Sequence, residues 1–251
     1  GRDGKALRQR IARGFYGRVA GAGHEDPVDG YDIVTTLDLD LQDVADKALR
    51  RQLEAQNAIW GTTIVMEVET GEILAMANLG RSGSSGGSYY ERENYALGRS
   101  MEPGSTFKII TLAMAIEEGV VNENSSFYCG GSMNVLGRGS PLKCWKYGGH
   151  GPQSLTQAVQ HSCNVAFVNI GQLVGEEKFY EYAEGFGFIE RTADTSQQLT
   201  AKTGIDLGGE SGSIWWSEDV FCNPENLSQL AAASFGQTFT VTPLAVSYTH
   251  L

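Results

Sequence analysis

The strongest constraint on the fold is a change of hydrophobic period along the chain. From Thr62 to Val68 apolar residues alternate, with Ile64, Met66 and Val68 on one face; Glu69-Thr-Gly-Glu72 makes a turn, and Ile73 to Ala77 returns. A period of two on both sides of a short polar turn predicts a β-hairpin covering one side of a core. The period is helical on either side of it. Leu39, Leu41, Val44, Ala48, Leu49 and Leu53 predict an amphipathic helix over 39–56, capped by Asp38 or Asp40. Phe107, Ile110, Met114 and Ala115 predict another from Thr106 to Glu118, stopped at Gly119. Ser154-Leu-Thr-Gln157 reads as a capping box opening a third, Val165–Val174 and Glu176–Gly185 continue the helical region, and a last helix begun by Asn223-Pro224 runs to about Phe235. Strands first and helices afterwards give an α/β chain of α+β type, an antiparallel sheet packed by helices, without an internal repeat.

The 251 residues, 41% hydrophobic, suit one sizeable domain plus an appendage. Tyr31–Thr36 reads as a short strand entering the main domain, with a boundary near residue 34. Ahead of it, Arg2, Lys5, Arg8, Arg10, Arg13 and Arg18 face Asp3 alone within a chain of net charge −11. That acidic balance disfavours nucleic acid as a partner. No stretch approaches the ~18 apolar residues of a membrane span, the nearest being Ile109–Ile116. A start at Gly1 without a Met or signal pattern predicts upstream sequence. The glycine- and serine-rich loop Arg81–Ser88 lacks the Lys-Ser/Thr of a phosphate cradle. Cys129, Cys144, Cys163 and Cys222 are not spaced as a zinc ribbon, no nearby His is expected to complete a ligand set, and no metal is expected. Cys129 and Cys144 flank a glycine-rich loop; a disulfide between them and free buried thiols are both open.

Acyl transfer on a serine needs its hydroxyl beside a base, and a Lys three residues on along a helix lies on the same face. Two Ser-x-x-Lys tetrads occur. Ser140-Pro-Leu-Lys143 contains a Pro and lies among Gly137, Gly139 and Cys144, so no helix aligns its ends. Ser105-Thr-Phe-Lys108 follows Pro103-Gly104 and opens an apolar helix, which sets Ser105 at the positive end of the helix dipole.

Glu102-Pro-Gly-Ser-Thr-Phe-Lys108 resembles the active-site segment of penicillin-binding protein transpeptidases, particularly the monofunctional class B enzymes. The family's second element is a Ser-x-Asn, for which Ser132-Met-Asn134 and Ser162-Cys-Asn164 are candidates. The second lies between helical segments, and Gly149-His-Gly151 with His161-Ser-Cys-Asn-Val-Ala-Phe167 resembles the family's run through that motif. Lys202-Thr-Gly204 reads literally as the third element. It leads into Ile205-Asp-Leu-Gly-Gly-Glu210, which resembles a family loop lying before the Phe-Gly-Gln segment, here Phe235-Gly-Gln237, whereas the catalytic Lys-Thr-Gly follows that segment. Lys202 is therefore expected to be a loop residue, with the third motif beyond residue 251. Gly208 stands where the family usually has Pro. Val246-Ser-Tyr-Thr-His-Leu251 departs from the family pattern and reads as a non-native scar.

The resemblance implies a penicillin-binding-protein/serine β-lactamase-like fold lacking its C-terminal strands, with residues 1–30 as the end of a pedestal, 31–245 as transpeptidase domain and 246–251 as scar. It implies a peptidoglycan D,D-transpeptidase, with Ser105 as nucleophile, Lys108 as base, Ser162 as proton relay, Asn164 holding a substrate amide, and no cofactor. Stem peptides and β-lactams would be its ligands, division or elongation proteins its partners, and the bacterial membrane its location, with this domain outside the cytoplasm and an anchor upstream. The Ser105 N–H would be half of an oxyanion hole; because one such donor is worth ~3 kcal/mol, a chain lacking the third motif is expected to be nearly inactive. Alternatives are a class D-like β-lactamase, a β-lactam sensor, a D-alanyl-D-alanine carboxypeptidase or a noncatalytic cell-division scaffold.

Overall fold

The structure, a computed structural model, describes residues 5–6, 8–12, 15–18, 24–25, 28–81, 87–190 and 198–247. The backbone divides into two units, Gly1–Thr36 and Leu37–Leu251. In the first, β1 (Lys5–Ala6) pairs antiparallel with β4 (His24–Glu25), and β2 (Arg8–Ala12) with β3 (Phe15–Arg18). The strand expected over Tyr31–Thr36 is not formed: the segment has no regular structure, and Tyr31 is 99% exposed. A strand exists only as part of a ladder, and no ladder is described for these residues.

In the second unit α1 (Leu39–Gln56) begins where the Asp38 carboxylate accepts the N–H groups of Asp40 and Leu41, and it ends at Asn57 in the left-handed region. Its buried face is Ala45, Leu49 and Leu53; Leu39, Leu41, Val44 and Ala48, expected to be core, are exposed. The face is set by what it packs on. β5 (Trp60–Met66) and β6 (Ile73–Gly80) form the predicted hairpin, with Thr63 opposite Ala77 and Val65 opposite Ala75. These positions, with Leu79, meet α1, and Gly61 leaves room for Leu49 and Leu53, since a Cβ there would lie 2.9 Å from Leu53 Cδ2. The Ile64–Met66 face, expected to cover the core, is the opposite one and only half-buried, and Val68 is exposed. The Gln42 side chain bonds both the N–H and the C=O of Met76, occupying the free edge of β6.

On the other face of the hairpin, Tyr95 of α2 (Tyr95–Gly98) stacks on Trp60 at 4.8 Å, and Asn78 accepts the Ala96 N–H. The chain then enters a 3₁₀ turn, Gly104–Phe107, that runs into α3 (Lys108–Glu117), ended by Gly119 at φ +66°. Short strands follow: β7 (Ser126–Cys129), β8 (Ser132–Met133), β9 (Leu142–Lys143) and β10 (Gly151–Ser154), with β7 paired to β10 and β8 to β9, both antiparallel. The Ser154–Gln157 capping box opens α4 (Leu155–Gln160). Helices α5 (Asn164–Val174) and α6 (Glu176–Gly185) succeed it, then the antiparallel pair β11 (Gln198–Ala201) and β12 (Ser213–Trp216). A short α7 (Glu218–Phe221) precedes Asn223, and the helix expected from Asn223 to about Phe235 forms only as α8 (Ser228–Ala233). Between them the Asn223 side chain accepts the Glu225 N–H and its C=O the Asn226 N–H, so Pro224 sits in a turn. The last helix, α9 (Pro243–Ser247), extends two residues into the segment read as a scar; 248–251, like 82–86 of the Gly/Ser loop, lie outside the described residues.

The main core surrounds α5, which is buried on nearly every side against α3, α6 and α8. Gly171 permits the contact with α8: a Cβ there would fall 1.9 Å from Ser234 Oγ. Helices thus cover the antiparallel hairpin on one side and enclose a helical core on the other.

Candidate active site

Two glycines at positive φ shape the turn before Ser105. Gly104 (φ +58°) donates its N–H to Gly236 O at 2.8 Å, and Gly236 (φ +81°) approaches so closely that a Cβ on it would meet Gly104 O at 2.0 Å. The turn is anchored from below by Phe107, fully buried and packed on Phe239 (4.8 Å), Phe188 (5.3 Å) and Trp215 (6.1 Å). Ser105 is left exposed while Lys108, 4% exposed, points inward.

The Lys108 ammonium joins the separate pieces. Nζ lies 3.2 Å from Ser105 Oγ, 3.0 Å from Ser162 Oγ, 2.8 Å from Ser162 O and 2.8 Å from Asn164 Oδ1. Ser162 reaches it with both hydroxyl and carbonyl because it adopts φ +47° in the turn between α4 and α5, a conformation costly for a non-glycine residue. Asn164 donates Nδ2 to Lys143 O at 3.3 Å, which aims Oδ1 at the lysine. Burial lowers the Lys108 pKa to about 8, against the raising influence of the Cys163 and Cys144 thiols. The Phe167 ring lies 5.3 Å from Nζ.

The two carbonyl oxygens, Ser162 O and Asn164 Oδ1, can only accept. A neutral lysine amine has two N–H groups, and with both given to them its lone pair is free for a serine hydroxyl. The arrangement can therefore take a proton from Ser105 and exchange one with Ser162.

All four residues singled out in the sequence, Ser105, Lys108, Ser162 and Asn164, thus meet at one point. Ser140 stays in a turn, and Lys143 contributes only its main-chain carbonyl. Ser132 and Met133 lie in β8, and no hydrogen bond among the described residues links Ser132 or Asn134 to Lys108. Lys202 is exposed at the start of the loop joining β11 to β12. There Glu210 accepts from the Thr203 N–H and hydroxyl, and Ser211 bonds to Leu97 O and Gly98 O.

One cluster is a correction. A histidine does complete a set with three of the cysteines: Cys129, Cys144, His150 and Cys163 bring Sγ, Sγ, a ring nitrogen and Sγ within 4.8 Å of one another. Sequence spacing concealed it because the residues come from four segments, joined when β10 pairs with β7 and sets Gly151 opposite Cys129. Glycine pairs beside Cys129 and His150 were the available signal, since a Cβ on Gly149 would lie 2.1 Å from Cys129 O. All four cysteines are free thiols, so Cys129 and Cys144 are not bonded.

A sequence profile of the penicillin binding protein transpeptidase domain matches residues 61–248. Stage V sporulation protein D of Bacillus subtilis (strain 168) is 37% identical over 224 residues, 87% of this chain and 32% of that protein. Peptidoglycan D,D-transpeptidase MrdA of Acinetobacter baumannii is 26% identical over 245 residues, 90% of this chain and 34% of that protein. The crystal structure of penicillin binding protein 3 from Mycobacterium tuberculosis, complexed with aztreonam, superposes with a TM-score of 0.69 at 26% identity, covering 90% of this chain and 48% of that one. The chain spans about a third of the length of these curated relatives. With that profile match over most of the chain, and a fold shared with a solved penicillin-binding protein, the chain belongs to the penicillin-binding protein transpeptidase domain family.

Proposed function

We propose that this chain carries the nucleophile and proton-transfer groups of a peptidoglycan D,D-transpeptidase that is also acylated by β-lactams. The observation that carries the reading is the bonding of Lys108 Nζ to Ser105, Ser162 and Asn164 together. Neutral Lys108 takes the Ser105 proton as Oγ attacks the carbonyl of the penultimate D-alanine of a stem peptide. The tetrahedral intermediate collapses to an ester on Ser105. Ser162 passes a proton to the amine of the leaving terminal D-alanine and is resupplied by Lys108. An amine of a second stem then attacks the ester, and Lys108 accepts its proton and returns it to Ser105 Oγ, which leaves as the hydroxyl. Asn164 holds both Lys108 and a substrate amide.

A β-lactam enters the same path, and its tethered leaving group leaves a persistent ester. No helix among the described residues is long and apolar enough to cross a membrane. We place the domain outside the bacterial cytoplasm, where peptidoglycan lies, with anchorage and division or elongation partners supplied by other parts of the protein.

The test is turnover by the full-length protein. Release of D-alanine from a pentapeptide donor with incorporation of an acceptor amine, and a penicillin adduct that persists, are the expected results. Rapid penicillin hydrolysis without acceptor incorporation would make it a β-lactamase; no adduct at all would make it a scaffold.

A further inference from the structure

We propose that Cys129, Cys144, His150 and Cys163 form a tetrahedral zinc site beside the Ser162–Asn164 turn. A zinc ion with thiolate bonds near 2.3 Å and an imidazole bond near 2.05 Å sets its ligand atoms about 3.8 Å (S to S) and about 3.6 Å (S to N) apart. Cys144 Sγ lies 3.9 Å from Cys163 Sγ and 3.7 Å from His150 Nδ1. Three sulfurs and one nitrogen meet the zinc preference for soft donors in a closed, four-coordinate site.

The surroundings fit a bound cation better than packed thiols. His150 Nδ1 meets only the Cys144 sulfur, so its lone pair has no conventional hydrogen bond to give up on binding a cation. Its ring is held flat against His161, 4.9 Å away at 5°, with Nδ1 turned to the sulfurs. Cys163 Sγ accepts the Ala166 N–H at 3.5 Å and caps α5, which fixes the sulfur at the start of that helix. Between Cys129 and Gly151 the chain has only the two-residue ladder of β8 and β9 and several glycines at positive φ, so it has little regular structure to hold it.

On binding, the three thiols release their protons to water and the neutral imidazole donates its lone pair, leaving the site with one net negative charge. The ion would tie the end of β7, the loop after β9 and the loop before β10 to the residue between Ser162 and Asn164. It would hold the geometry of that turn without touching substrate. This proposal stands independently of the acyl-transfer reading.

The experiment uses the untagged chain, produced under reducing conditions, with zinc measured by mass spectrometry of the elements and Co²⁺ substituted as a spectroscopic probe. The expected result is one zinc per chain, and for Co²⁺ the intense ligand-field bands of a tetrahedral site with thiolate charge transfer. Cys144→Ser and His150→Ala should lower bound zinc to background or weaken it to chelator-labile, while Cys222→Ser, outside the cluster, should retain it. Where a cluster variant fails to fold, the stoichiometry and Co²⁺ spectrum of the unsubstituted chain decide. Background zinc with all thiols free, a Cys144–Cys163 disulfide whose reduction restores no Co²⁺ binding, or equal loss in Cys222→Ser would overturn the site.

Discussion

A lysine has at most three N–H groups, yet Lys108 Nζ faces four oxygens, and its protonation state decides which of them it serves. Its pKa of about 8, lowered by burial, makes the neutral form accessible near physiological pH. Because a base works only when deprotonated, acylation by penicillin should rise with pH through about 8 and then level off, as a stopped-flow pH–rate profile would show. Lys108→Arg, always charged, should abolish the rise together with most of the rate. Ser162 supplies a second test, because its left-handed backbone and its hydroxyl can be separated. Ser162→Gly relieves the backbone strain and should stay within about 1 kcal/mol of the parent in urea unfolding while slowing acylation, whereas Ser162→Ala loses the hydroxyl and keeps the strain. Lys202, exposed in its loop, should behave as a surface residue: Lys202→Ala is expected to leave acylation within about threefold and stability within about 0.5 kcal/mol.

At the scale of elements, the turn carrying Ser105 is held from two sides, by the Phe107 aromatic cluster and by the Phe235–Gln237 segment pressed on Gly104. Gly236→Ala places a Cβ against Gly104 O in a left-handed conformation and should cost at least about 2 kcal/mol in chemical denaturation. Ser154→Ala, which removes one half of the α4 capping box, should cost about 1 kcal/mol. Elements with a local signal were legible in the sequence: α1 by its Asp38 cap and period, α4 by its capping box, the hairpin by its alternation. Which face each one buries was not. Leu39 and Val44 are exposed because α1 is oriented by Gly61 and by Gln42 on the β6 edge, both contacts with distant segments. Pro224 likewise misled because the Asn223 side chain closes a turn on it, a competition that helix-start patterns do not reveal.

Across the whole molecule, the same division separates what was readable at the site. Ser105 and Lys108 are one helical turn apart, and their spacing together with the helix start around them set them above Ser140-Pro-Leu-Lys143; Ser162 and Asn164 needed the surrounding match, since 54 and 56 residues separate them from Lys108. The cysteine and histidine cluster needed the β7–β10 register and could not be read from spacing. The central claim is that Ser105, activated by Lys108, is the residue acylated. The most direct measurement is peptide mapping, by mass spectrometry, of the full-length protein after reaction with a penicillin. The account predicts a single adduct on the peptide containing Ser105, absent in Ser105→Ala and unchanged in Ser140→Ala. An adduct that persists in Ser105→Ala, or that maps to Ser140, would contradict it.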